Sequence, residues 1–140
     1  MNKSQRCRRS ACPITYTLDI IGDRWAMLIV RDICIMGKSY FGEFANSEEG
    51  IATNILTDRL KRLEEQGIIT KTQDKNKLSK YIYSLTDMGL DLVPIMVEMI
   101  MFAGKHDDQT LVPKGVLVKI KRNKQEFIND LLKKQKKQNS

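Results

Sequence analysis

Apolar and polar positions change period several times along the 140 residues, and those changes divide the chain into elements. The most legible stretch is 52–66, ATNILTDRLKRLEEQ. There Ile55, Leu56, Leu60 and Leu63 recur at helical spacing, while Thr53, Asn54, Thr57 and Lys61 fall on the other side. Gly67 is placed to stop this helix in a left-handed conformation, and an extended run begins at Ile68. In Lys80 to Leu85 the alternation of Tyr81, Tyr83 and Leu85 marks one buried face of a second strand. Between the strands, the tip Asp74 to Ser79 carries Lys75 and Lys77, with Lys80 just beyond.

Upstream, Cys12-Pro13 opens a helix with proline at its first position, and Tyr16, Leu18, Ile20 and Ile21 supply apolar surface up to Gly22. A second helix is expected from about Asp23 to Met36, with Asp23 as cap and Trp25, Leu28, Ile29, Ile33 and Met36 buried. Gly37 ends it, and Ser39 caps a short third helix holding Phe41 and Phe44. The polar connector Asn46 to Gly50 then leads to the long helix. Downstream, Thr86-Asp87 caps a helix reaching about Ala103, with a kink expected at Pro94. Its apolar positions Met88, Leu92, Ile95, Met96, Met99, Ile100 and Phe102 are too many for one small domain, which points to a second copy of the chain. From Pro113 to about Lys137 a basic amphipathic helix can be drawn through Val116, Ile120, Phe127, Ile128, Leu131 and Leu132. Val116 to Ile120 also reads as extended, and the final KKQKKQNS is expected to fray.

These elements describe a mainly α fold with a small β-hairpin wing, a winged helix-turn-helix. The expected organisation is a flexible basic arm over 1–11, the winged domain with its dimerisation helices over 12–106, and a basic, helical C-terminal extension over 107–140. A helix presenting hydroxyl, amide and ammonium groups, followed by a lysine-bearing hairpin, suits double-stranded DNA, with the helix in the major groove and the hairpin along the backbone.

Composition adjusts this picture modestly. Apolar content of 41% and charged content of 29% are ordinary for a globular protein, and no apolar run approaches a membrane span. The chain is therefore expected in the cytoplasm, away from the membrane. Its net charge of +7 is unevenly spread: 114–140 carry +7, the first twelve residues +4, and 13–113 carry −4. The basic isoelectric point thus says little about the central segment. Three cysteines without a CxxC pair, and a lone histidine, His106, give no metal site and no disulfide framework. No cofactor is expected. The chain also lacks a nucleophile–base signature and a phosphate-cradling glycine loop, so an enzyme is disfavoured.

From Cys12 to Ala103 the chain resembles the HxlR-type transcriptional regulators, relatives of the MarR-like winged-helix proteins. The resemblance rests on Cys12-Pro13 with Leu18, Gly22-Asp23-Arg24-Trp25, Leu28-Ile29-Val30-Arg31, Phe41 and Phe44. It continues through Ile51, Leu56-Thr57, Leu60-Lys61, Leu63-Glu64-Glu65, Gly67-Ile68, Tyr83-Ser84-Leu85-Thr86, Gly89 and Pro94. It implies a homodimeric bacterial DNA-binding regulator whose dimer interface is built from N- and C-terminal helices. Departures are the apolar Ile82 at a usually polar position, a lysine-rich wing, and a segment after Asp107 to which the family assigns no role.

The base-reading candidates are Thr53, Asn54, Thr57 and Asp58; Asp58 alternatively positions a neighbouring base or Lys61. The phosphate candidates are Lys61, Lys75, Lys77 and Lys80, with Ser39 and Tyr40 as backbone donors. The bland reading of both sets is a solvated helix face and a solubilising wing. Cys12, at a helix N-terminus near Arg8 and Arg9, is either a thiol switch or a small residue packed at the dimer interface, whereas Cys34 is expected to be inert. Some relatives sense oxidants through the matching cysteine. The partners expected are double-stranded DNA, a second copy of the chain and a small-molecule effector. The alternative is a winged-helix protein-interaction module with no specific DNA target.

Overall fold

The computed structural model describes residues 8–110 and 114–139, without the side chains of 114, 138 and 139. Residues 1–7 of the expected basic arm, and Pro113 at the expected start of the C-terminal helix, lie outside the described residues. The chain forms two compact units, one ending at Gly89 and the other beginning at Leu90.

The first unit opens with α1 (Pro13–Ile21), with Pro13 at its start as expected. Next comes α2 (Ala26–Cys34), which starts later than the sequence pattern implied. Asp23 does not cap it directly: its Oδ2 accepts the N–H of Trp25 at 3.1 Å, closing a turn one step before the helix. The buried face also differs. Ala26, Met27, Ile29, Val30, Ile33 and Cys34 are buried, Trp25 and Leu28 are half-buried, and Met36 lies exposed past the helix end. The buried stripe is centred on Ala26, Val30, Ile33 and Cys34, which share one side at helical spacing and leave Trp25 and Leu28 off its centre.

The short helix α3 (Phe41–Ala45) is preceded by Tyr40 rather than Ser39 at the capping position. Glu43 Oε1 accepts the N–H groups of both Ser39 and Tyr40 at 3.1 Å, which satisfies two backbone donors from inside the helix. After a turn ending at Gly50 comes α4 (Thr53–Glu65), which buries Leu56, Leu60 and Leu63. Gly67 has φ +80°, the left-handed conformation required for the chain to leave α4 and enter β1 (Ile69–Gln73). Antiparallel β2 (Tyr81–Leu85) pairs Ile69 with Leu85 and Gln73 with Tyr81. Tyr83 and Leu85 are buried as expected, but Tyr81 is 44% exposed, because the hairpin's inner face runs beyond the core toward the tip.

Where one long helix was expected after Thr86, there are two: α5 (Asp87–Leu90) and α6 (Val93–His106). Pro94 does not kink a continuous helix; it lies in the first turn of α6. Its ring would collide with the carbonyl of residue 90, so the helix breaks instead. In the second unit, α6 packs with α7 (Lys114–Arg122) and α8 (Lys124–Asn139). The basic tail is thus two helices separated at Asn123, Val116 to Ile120 is helical, and the expected fraying of the last residues is replaced by helix through Asn139. Among the described residues no helix is long and apolar enough to cross a membrane.

Candidate nucleic-acid interface

The exposed side of α4 lies opposite its leucine stripe. Asn54, Asp58 and Lys61 stand farthest from the buried side, flanked by Thr53 and Thr57, and all five are exposed. Glu64 and Glu65 occupy the last turn, so only the N-terminal half of this face suits a polyanion. The hydroxyl of Thr57 donates to the Thr53 carbonyl at 2.8 Å, which leaves the lone pairs and methyl of Thr57 to face outward. Asp58 pairs with Arg59, and with Arg62 at 3.9 Å, rather than with the expected Lys61.

Arg59, which sequence reasoning missed, fixes how α4 is carried. Its Nε donates to Asp23 Oδ2 at 2.7 Å, clamping α4 to the turn between α1 and α2. Partial burial opposes ionisation of Asp23, but the bonds from Arg59 and from the Trp25 N–H outweigh it and hold the carboxyl below its ordinary range. A second clamp holds the connector before α4. Arg31 grips Glu49 through two bonds of 2.8 and 3.0 Å, and its other edge bonds Asp32, which is 3% exposed. Lys38 approaches the same Asp32 at 3.4 Å, so this buried carboxylate faces two cations. The arrangement keeps Arg31 protonated, chiefly through the Glu49 bonds, and holds Glu49 below its usual range through the same bonds.

The hairpin is tied to the short helix in three ways. The Tyr83 N–H donates to the Ser39 carbonyl at 2.8 Å, Phe44 meets Tyr83 edge-on with centroids 5.9 Å apart, and the Tyr40 hydroxyl donates to Asp74 Oδ2 at 2.7 Å. Asp74 also accepts the Asn76 N–H at 2.9 Å, shaping the tip. The Tyr40 bond is the main cause lowering the Asp74 carboxyl and, reciprocally, raising the Tyr40 phenol. Lys75 and Lys77 are exposed at the tip. Lys80 lies with Nζ 5.1 Å from the Tyr40 ring, at the mouth of an open cleft of about 520 Å³ bordered by Phe41, Glu43 and Tyr81. A further cation, Lys71, stands 4.4 Å over the Tyr81 ring; strand alternation could have placed it on that face. The Ser39 and Tyr40 N–H groups are engaged by Glu43, so they bond an external anion only by exchanging that carboxylate for it.

Cys12 is exposed and occupies the cap position of α1. Its thiol is shifted down, first by the N–H groups of Thr15 and Ile14 and then by the Thr15 hydroxyl. The expected help from nearby arginines goes elsewhere: Arg9 pairs with Asp19 at 2.6 Å, and Arg8 lies 5.5 Å over Tyr16. Cys34 is buried.

The HxlR-like helix-turn-helix family profile matches residues 20–110, which excludes α7 and α8. The uncharacterised HTH-type transcriptional regulator YdeP of Bacillus subtilis (strain 168) is 36% identical over 98 residues, covering 70% of this chain and 76% of its own. Among solved structures, the redox regulator HypR in its reduced form superposes with TM-score 0.62 at 33% identity, covering 69% of this chain and 95% of that one. The reduced form of the regulator YodB from B. subtilis gives TM-score 0.56 at 27% identity over 72% of this chain and 99% of that one; YodB has also been solved bound to quinone.

Proposed function

The chain belongs to the HxlR-like helix-turn-helix family and is a transcriptional regulator of the HxlR and MarR-like type, not an enzyme; from that premise we propose that it acts as a homodimer on an inverted-repeat DNA operator. The supporting observation is the polar N-terminal half of α4, exposed opposite its buried leucines and clamped at Arg59, with a lysine-bearing hairpin tied beside it. In this reading Asn54 pairs with adenine edges, Thr53 and Thr57 offer hydroxyl and methyl groups, and Asp58 accepts from a base amine. Lys61, Lys75, Lys77 and Lys80 neutralise phosphates, joined by the Ser39 and Tyr40 N–H groups once a phosphate displaces Glu43.

Dimerisation would use two apolar faces: Ile14 and Leu18 on α1, and Ile95, Met99 and Phe102 on α6, all exposed. In this reading Cys12, exposed at the start of α1, switches the assembly by thiol chemistry; the downward shift of its thiol and the redox-regulator relatives support this. The cleft between Tyr40 and Tyr81 offers a small-molecule effector direct purchase on the wing.

Selecting bound duplexes from a random library, with and without a quinone or peroxide, tests the reading. The expected product is an inverted repeat with half-sites about one helical turn, or a multiple, apart. The oxidant should change recovery for the wild type and not for Cys12→Ser. Recovery of no common sequence would reject the operator, and an unchanged oxidant response in Cys12→Ser would remove the thiol from the switch.

A further inference from the structure

The part of the chain that carries the proposed base-reading surface offers DNA no net attraction. Residues 1–113, which include α4 and the hairpin, sum to zero (+4 over the first twelve and −4 over 13–113), whereas 114–140 carry +7. A chain that must approach a polyanion therefore holds most of its long-range attraction in α7 and α8, past the end of the family match at residue 110.

Within these helices the charge is not uniform. Lys119 and Arg122 share a cleft of about 520 Å³ with Glu126 and Asp130, and Lys124 pairs with Glu98 at 2.5 Å. These cations have acidic neighbours. The densest run of lysines lies in the last turns of α8, where Lys133, Lys134, Lys136 and Lys137 are exposed and wrap the side of the helix away from Gln135, which is 1% exposed. Buried Ile128 and Gln135 show that α8 is a held element and not a loose tail. A bland reading is that lysines at a helix C-terminus simply complement its dipole, but four within five residues exceed what one helix end requires. A membrane surface fits less well, since interfacial helices bury a large apolar face beside their cations and α8 exposes no large apolar side chain among the described residues.

We propose that the C-terminal turns of α8 are a second DNA-binding element: Lys133, Lys134, Lys136 and Lys137 bind backbone phosphates without reading sequence, so that operator affinity is divided between a reading surface and an electrostatic anchor. This rests on the DNA-binding reading above and adds to it a site that the family pattern does not contain.

The test compares the full-length wild type, the fourfold variant Lys133→Gln/Lys134→Gln/Lys136→Gln/Lys137→Gln and its Arg counterpart. Each is titrated with the selected duplex and with a random duplex across a salt series, and in parallel with vesicles of anionic phospholipid. The glutamine variant should lose about tenfold or more on both duplexes at low salt, keep its ratio between them, and show a slope of log K against log salt flattened by about 0.9 per lost contact. The arginine variant should retain the wild-type slope. If the fourfold variant fails to fold by circular dichroism, the pair Lys133→Gln/Lys134→Gln carries the same comparison with half the change in slope. An unchanged slope on both duplexes overturns the proposal, as does a loss confined to the vesicles. If the wild type itself binds neither duplex, the DNA-binding reading fails first. A flattened slope for Lys75→Gln/Lys77→Gln beside an unchanged α8 variant removes only the anchor.

Discussion

Arg59 lies on the candidate recognition helix yet spends its Nε on Asp23, 36 residues earlier. Both side chains are less than a third exposed, so the charged hydrogen bond should contribute about 1–2 kcal/mol to stability after solvent screening. Arg59→Ala is expected to lower the unfolding free energy by that amount in denaturant titrations, with Arg59→Lys recovering part of it; an unaffected midpoint would show that the clamp is idle. Periodicity could not have revealed this pair, because it marks Arg59 only as an amphipathic-helix residue beside a core stripe. The carboxylates carry a second prediction. Asp23, Glu49 and Asp74 are all held below their ordinary range. Depressed carboxylates stabilise the fold fully above their unfolded values of about 4 and lose that contribution as pH falls through the lower folded values. Stability should therefore stay level with respect to these groups from neutrality to about pH 5 and decline below it; a decline beginning near pH 6 would assign it to other groups.

At the scale of elements, the hairpin's position depends on close contacts at its inner end. A Cβ on Gly89 would stand 2.2 Å from the Ile68 carbonyl oxygen and 3.1 Å from Leu85 Cδ2, so α5 can pass the start of β1 only with glycine there. The Thr86 hydroxyl locks the same junction, donating to the Gly67 carbonyl at 2.5 Å and accepting the Gly89 N–H at 3.0 Å. Gly89→Ala should cost roughly 2–3 kcal/mol in thermal or chemical unfolding, because the obstruction is backbone and cannot swing aside. A variant as stable as the wild type would contradict this packing. Tyr40→Phe, by contrast, should leave global stability nearly intact while loosening the wing, read as faster amide exchange from Gln73 to Lys80; unchanged exchange would show that Tyr40–Asp74 does not hold the tip.

The elements themselves were largely legible. The leucine spacing of α4, the glycine at 67 and the tyrosine alternation of β2 all write local geometry into local sequence. What was not legible depends on tertiary contact or steric detail. Asp23 resembles a helix cap until its carboxylate is seen closing the preceding turn, and Pro94 signals disruption without saying whether the helix bends or breaks. Of the site, the exposed face of α4 and the wing lysines could be read from pattern, whereas the Tyr40–Asp74 tie joins residues 34 apart and left no periodic trace.

For the whole molecule, an exposed apolar stripe on α6 and a second on α1 leave a monomer with unfavourable contact to water. Phe102, 70% exposed, is the largest of these side chains. If the proposed dimer forms through this face, Phe102→Glu converts it to a monomer in sedimentation and weakens duplex binding at least tenfold, since a lone protomer loses the second half-site; a wild type that sediments as a monomer, or a variant that still sediments as a dimer, would contradict this. The most direct measurement concerns Asn54. Wild type and Asn54→Ala should be titrated side by side on the selected duplex and on a random one. If α4 reads bases, the substitution lowers affinity for the selected duplex by roughly 5- to 150-fold per half-site, the equivalent of about 1–3 kcal/mol, and leaves the random duplex within about twofold. Equal losses on both duplexes, or none on either, would mean that this helix face does not read DNA.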